Sequence, residues 1–139
     1  MSFLNTQDKG DLAKIMVVAS LLKRGNKVLE TIGENHEFDL VFYSNERIFK
    51  TVQCKLGRYR NGCVQFNLYS VVVNSSSGKK EKRGYSKFVD YFGVYCIETD
   101  KCYLVPNNEK LPKNEVYLRV DIAKSNRGTN KRYAKDYEL

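Results

Sequence analysis

The chain has 139 residues, 42% of them hydrophobic, enough for one buried core and too few for two substantial ones. Its 24 lysines and arginines against 16 acids leave a net charge of +8, so a polyanionic partner is expected, either nucleic acid or a membrane surface. No apolar run is long enough to span a bilayer, and no signal-peptide pattern opens the chain. Without either of these, a cytoplasmic protein is the expectation, and a single histidine and four cysteines without a CxxC pair argue against structural zinc and against serine-hydrolase chemistry.

Asn5 or Thr6 is expected to cap a helix with Asp8 and Asp11 in its first turn. Leu12, Ile15, Met16, Ala19 and Leu22 recur at helical spacing, with Val18 and Leu21 widening the stripe, and Lys23-Arg24-Gly25 ends the helix. Strands are predicted over 27–32, 38–43, 48–56 and 63–68, with a basic loop at 57–62 between the last two. Residues 74–84 are small, polar and basic with no apolar anchor, and read as a mobile loop. A hairpin follows over 92–97 and 102–106, with Cys96 and Cys102 on either side of its turn and expected as buried thiols. A last strand at 116–120 precedes a polar, basic tail over 123–139. There is no internal repeat and no domain boundary. The order suggests one α/β or α+β domain over 1–139 with a mixed sheet.

Two of these strands carry the candidate chemistry. Gln53 and Lys55 are two apart, so they project from one face, and pairing of the flanking strands brings Asp39 beside them. An acid, an amide oxygen and an ammonium converging at a sheet edge can hold a divalent metal against a phosphate. The bland readings are a solvated residue at a strand start for Asp39 and an exposed strand face for Gln53-x-Lys55. A second constellation is basic: Arg58 and Arg60 around Tyr59, then Lys79, Lys80, Lys82 and Arg83, then Arg127, Lys131, Arg132 and Lys135. These clusters either track DNA phosphates or form an ordinary solvated surface, and Tyr59 either stacks or supports its loop.

At Asp39, Gln53-x-Lys55 and the leading helix the sequence resembles the PD-(D/E)XK nuclease superfamily, specifically its group I intron-associated homing endonucleases. Archaeal Holliday junction resolvases are a more distant likeness. The resemblance extends to the opening Asn5 to Ala13, the Tyr91 to Tyr95 strand, the Lys101 to Pro106 strand and the terminal Arg132 to Glu138, and so covers most of the chain. It implies a restriction-endonuclease-like α/β core with the N-terminal helix against a mixed central sheet. It implies catalytic roles for Asp39, Gln53 and Lys55, with Mg2+ (or Mn2+) held by Asp39, Gln53 and the Cys54 backbone carbonyl. It further implies a site-specific endonuclease acting on double-stranded DNA, as a homodimer or homotetramer and away from membranes.

One position departs from the pattern. Relatives place a glutamate on the first helix where this chain has Lys14, and an ammonium cannot ligate a metal. Three readings stay open. Asp11 takes the acidic role, or Lys14 contacts DNA phosphate in an enzyme relying on Asp39, or the protein binds DNA without cutting it.

Overall fold

The computed structural model describes residues 3–33, 36–85, 87–121 and 132–139. Helix α1 (Thr6–Lys23) starts at a capping box in which Asn5 Oδ1 accepts the Asp8 N–H at 2.8 Å and Asp8 Oδ2 accepts the Asn5 N–H at 3.4 Å. It ends where Gly25 takes a left-handed φ of 85° and the Asn26 N–H closes back on the Leu21 carbonyl. Its buried face is Ala13, Val17 and Leu21, while Ile15 and Leu22 are 62% and 53% exposed. The expected apolar stripe is therefore rotated. The helix is apolar on much of its circumference, so spacing alone does not say which side meets the sheet.

The strands are β1 (Lys27–Glu30), β2 (Leu40–Tyr43), β3 (Lys50–Arg60), β4 (Cys63–Asn67), β5 (Tyr69–Val73), β6 (Lys80–Gly84), β7 (Tyr91–Cys96), β8 (Lys101–Pro106), β9 (Glu115–Arg119) and β10 (Arg132–Tyr133). Eight of them form one mixed sheet in the order β1-β2-β3-β4-β9-β10, with β7 beside β3 and β8 beside β7. The β3–β7 and β9–β10 pairs are parallel and the others antiparallel. Strands β5 and β6 form a separate hairpin.

Alternation along the strands builds two cores. Val28, Leu40, Phe42, Val52, Cys54, Leu56, Tyr95 and Cys102 pack with α1. Val64, Phe66, Phe92, Val94, Tyr103, Val105, Val116 and Leu118 pack on the opposite side. The helix sits close because Gly93 has no side chain: a Cβ there would lie 2.7 Å from Val17 Cγ1 and 3.0 Å from Val52 Cγ1. Asp90 locks the start of the parallel pair, accepting the Thr51 N–H at 2.9 Å while its own N–H donates to Thr51 Oγ1 at 2.9 Å.

Two expected loops are strand instead. The basic stretch 57–60 continues β3, and the connection to β4 is only Asn61-Gly62, both at positive φ (53° and 76°) as a two-residue hairpin turn requires. Within 74–84, residues Lys80–Gly84 form β6, register-paired to β5 from Val73↔Lys80 to Tyr69↔Gly84. The expected tail contains β10 and a 3-10 turn, Ala134–Asp136. Cys54, Cys63, Cys96 and Cys102 are all free thiols. Among the described residues no helix is long and apolar enough to cross a membrane.

Candidate active site

Strand β3 is paired on both edges only in part. Strand β2 reaches no further than Val52, β4 joins only from Arg58, and residues 53–57 are laddered to β7 alone. One edge of that stretch therefore has no strand beside it. Asp39 fills the gap. It is held between Phe38, packed on the far core, and Leu40, buried under the helix. Its N–H donates to the Val52 carbonyl at 2.9 Å, and its Oδ2 accepts the Cys54 N–H at 2.8 Å. A strand residue turns its N–H and its carbonyl to the same edge, so the Cys54 carbonyl opens on Asp39's side of the sheet.

Gln53 and Lys55 project from the face opposite α1, since Val52, Cys54 and Leu56 supply the helix side. Lys55 is half-buried. Its Nζ donates to the Tyr69 carbonyl at 2.9 Å and lies 4.6 Å from the centre of the Tyr85 ring. Burial pulls its pKa down from 10.5 to about 8, against the opposing pull of Asp39. Burial first, and the Asp39 charge second, push the Tyr85 phenol up to about 12, with hydrogen bonds from Ser70 and Gln53 acting the other way. The Cys54 thiol is pushed up by the same two causes and drawn back by Lys14. Asp39 is thus the negative centre that all three groups sense.

Lys14 is half-buried on α1, in electrostatic reach of Cys54. Asp11 is exposed, and its Oδ1 accepts Gln7 Nε2 at 3.1 Å. Among the described residues no three His, Cys, Asp or Glu side chains are grouped to hold a metal. A cation at this edge would instead meet one carboxylate, one amide oxygen and one backbone carbonyl. These are hard oxygen donors of the kind that suit Mg2+, which keeps its own waters and takes substrate phosphate oxygens. The donor set fits such an ion.

A groove of about 590 Å3 runs beside Lys55 and is lined by Lys9, Arg58 and Arg60 as well as Gln65 and Asn67. Arg58 and Arg60 are exposed, and neither takes part in the ion pairs among the described residues. Tyr59 donates its hydroxyl to Asp121 Oδ2 at 2.7 Å. Lys79 immediately precedes β6, and Lys80, Lys82 and Arg83 lie on it, all exposed; Lys82 Nζ sits 4.5 Å over the Tyr69 ring, and Arg83 is 3.5 Å from Glu81. Arg132 donates to the Lys110 carbonyl at 2.6 Å. Arg127 and Lys131 lie outside the described residues.

The fold therefore brings Asp39, Gln53, Cys54 and Lys55 together and sets Arg58 and Arg60 on the adjoining groove. The basic hairpin springs from the same place, because its first residue is Tyr69 and Tyr85 follows its last. Sequence reasoning missed Tyr69 and Tyr85, which contact Lys55, and Lys9, which lines the groove. Lys9 lies one helical turn from the N-cap, where a basic residue carries no periodic signal. Tyr69 to Val73 is a run of β-favouring residues, and only its polar partner strand hid the hairpin.

Comparison with known proteins bears on this geometry. The family model for PD-(D/E)XK endonucleases matches residues 4–139. Among solved structures, the bacterial homing endonuclease I-Ssp6803I superposes with a TM-score of 0.70 at 21% identity, covering 97% of this chain and 89% of that one, a likeness of fold. Comparison with curated proteins yields no match. Set against the letters of that family's name, Phe38-Asp39 and Gln53-Cys54-Lys55 keep the aspartate and the lysine and put Phe for Pro and Gln for Asp or Glu, and by the match over residues 4–139 the chain belongs to the PD-(D/E)XK endonuclease family.

Proposed function

We propose that this protein is a divalent-metal-dependent DNA endonuclease that cuts duplex DNA at a defined site, with Mg2+ as its ion and Mn2+ as a substitute. The observation that carries the reading is the open edge of β3, where Asp39 accepts the Cys54 N–H beside a half-buried Lys55. A bound ion supplies charge neutralisation at the phosphate and lowers the pKa of water. Asp39, the Gln53 amide oxygen and the Cys54 carbonyl are the groups to hold it. Lys55, with a pKa near 8, exists in both forms close to neutral pH. As the ammonium it stabilises the crowded phosphate, and as the amine it takes a proton from the attacking water. Lys9, Arg58 and Arg60 line the groove for the DNA backbone, and the exposed Lys79, Lys80, Lys82 and Arg83 extend that basic surface along the hairpin.

One chain holds one such site, and cutting two antiparallel strands is most simply done by a two-fold pair, so a homodimer or homotetramer is part of the proposal. Exposed Leu29 on β1, Ile32 after it, and Ile48 and Phe49 just ahead of β3 (49%, 94%, 53% and 57% exposed) supply apolar surface for a second copy.

Lys14 favours a second reading, a DNA-binding protein of the same fold that does not cut. Incubation with linear duplexes and four-way junctions in Mg2+ or Mn2+ separates the possibilities. Cleavage of linear duplex, abolished by Asp39→Ala, is the expected result. Junction-only cleavage indicates a resolvase. Binding of both substrates with no cleavage of either overturns the enzyme reading, and cleavage that survives Asp39→Ala overturns the site.

A further inference from the structure

We propose that Gln65 and Glu115 read base edges in the major groove of bound DNA. At the base they meet, the pair selects adenine or cytosine over guanine or thymine. This deepens the site-specific reading above and rests on it.

The placement follows from strand alternation. On β4 and β9 the core residues are Val64, Phe66, Val116 and Leu118, packed on the side away from α1. Gln65, Asn67, Glu115 and Tyr117 therefore turn to the α1 side. The register sets them in neighbouring rows, with Asn67 opposite Glu115, and Gln65 between Tyr117 of β9 and Arg58 of β3. Gln65, Asn67 and Glu115 line the same groove as Lys55, Arg58 and Arg60. A duplex with a phosphate at Lys55 thus passes over these side chains.

The hydrogen bonds fix which atoms the pair presents. Gln65 Nε2 donates to Glu115 Oε2 at 2.8 Å and to the Tyr117 oxygen at 3.3 Å, and the Tyr117 hydroxyl donates to the same Glu115 oxygen at 2.8 Å. A carboxylate only accepts, so it takes the amide by its nitrogen and leaves Gln65 Oε1 as the end turned away. Among the described residues both donors to this carboxylate reach Oε2, which leaves Oε1 to accept from a ligand. Among the same residues Glu115 enters no ion pair, so it does not serve to tie down an arginine. A carboxylate in a basic groove repels phosphate and suits an amino group instead. In the major groove adenine N6 and cytosine N4 are amino groups, whereas guanine O6 and thymine O4 are acceptors that would stand unpaired against these oxygens. The minor groove, about 6 Å wide, is too narrow for a sheet face.

The test selects bound duplexes from a library of random sequence, using wild type, Gln65→Ala and Glu115→Gln in turn. Ca2+ stands in for Mg2+ as an ion that takes oxygen ligands. Wild type is expected to enrich a sequence in which one position favours adenine or cytosine about tenfold over guanine or thymine. Both variants should lose that preference to within about twofold while the other positions keep theirs. The chemistry is then read on the selected site with wild type and both variants. Unsubstituted purine for adenine, or 2-pyrimidinone for cytosine, removes only the amino group at that position. Wild type should bind the altered site about tenfold more weakly, and the variants should bind both sites nearly alike.

A merely structural role for the Gln65–Glu115 contact would weaken binding to every sequence alike and leave the preferences unchanged, and that result overturns the inference. So does a preference for guanine or thymine at the affected position. So does a wild type indifferent to the missing amino group, or one that responds only to inosine in place of guanine. A wild type that enriches no sequence overturns the site-specific reading and this inference with it. Enrichment that both variants share with wild type overturns the inference alone.

Discussion

Replacing Lys55 by Met should make the protein more stable at neutral pH while removing its activity. Methionine keeps the apolar length of the side chain and drops the charge. Burial lowers the Lys55 pKa from 10.5 to about 8, and at about 1.4 kcal/mol per pH unit the charged form is disfavoured in the folded protein by about 3 kcal/mol. Methionine forfeits the hydrogen bond to the Tyr69 carbonyl, worth about 1 kcal/mol, so the net gain at pH 7 is about 2 kcal/mol. The sign of the pH dependence follows from linkage. Between pH 8 and 10.5 the unfolded chain holds the Lys55 proton and the folded protein has released it, so wild-type stability from this group rises with pH through that window. Below pH 8 both states are charged and the full destabilisation applies. The variant's advantage should thus be flat up to about pH 7.5 and gone by about pH 10. Tyr85 and Tyr95, both pushed up to about 12, and the raised thiols act in the opposite direction, because the folded state keeps their protons longer. To first order they are common to both proteins and cancel in the difference. Urea unfolding of wild type and Lys55→Met from pH 6.5 to 10, in chelator and reductant, measures that difference. A difference that does not change between pH 7 and 10, or a variant less stable than wild type at pH 7, refutes the reasoning.

Other expectations are more local. Lys14→Glu replaces a repelling charge with an attracting one near Cys54 and should tighten Mn2+ on the order of tenfold in a relaxation titration; unchanged affinity would place position 14 outside the metal site. Gly93→Ala puts a methyl 2.7 Å from Val17 Cγ1 in a packed interface and should cost about 1–3 kcal/mol by denaturant unfolding, with a stability equal to wild type counting against so close a helix–sheet approach. Asn5→Ala opens the capping box and should lower stability by about 1 kcal/mol, whereas the exposed Gln7→Ala should change it by less than about 0.5 kcal/mol.

Much of the site was legible because its signals are short-range. Residues two apart on a strand share a face whatever surrounds them, so Gln53 and Lys55 could be paired from spacing alone. The helix ends were legible for the same reason, since Asn5, Asp8 and Gly25 act within one turn. The two loops that turned out to be strand show where such signals stop. Arg58-Tyr59-Arg60 has no apolar alternation, because its residues are exposed on both faces of the strand. Lys80 to Gly84 is exposed at every position, and only pairing with β5 makes it a strand. The Asn61-Gly62 turn was a local signal that could have been read and was not.

By itself, then, the sequence determined the helix and its caps, the family pattern, the basic excess, and the common face of Gln53 and Lys55. The tertiary structure decided which side of α1 is buried, that residues 53–57 keep one edge free for Asp39, and that the hairpin root closes over Lys55 through Tyr69 and Tyr85. Periodicity and capping are written in a few neighbouring residues. A missing strand neighbour, a carbonyl from fourteen residues away and a buried environment that moves a lysine's pKa arise only when distant segments pack together.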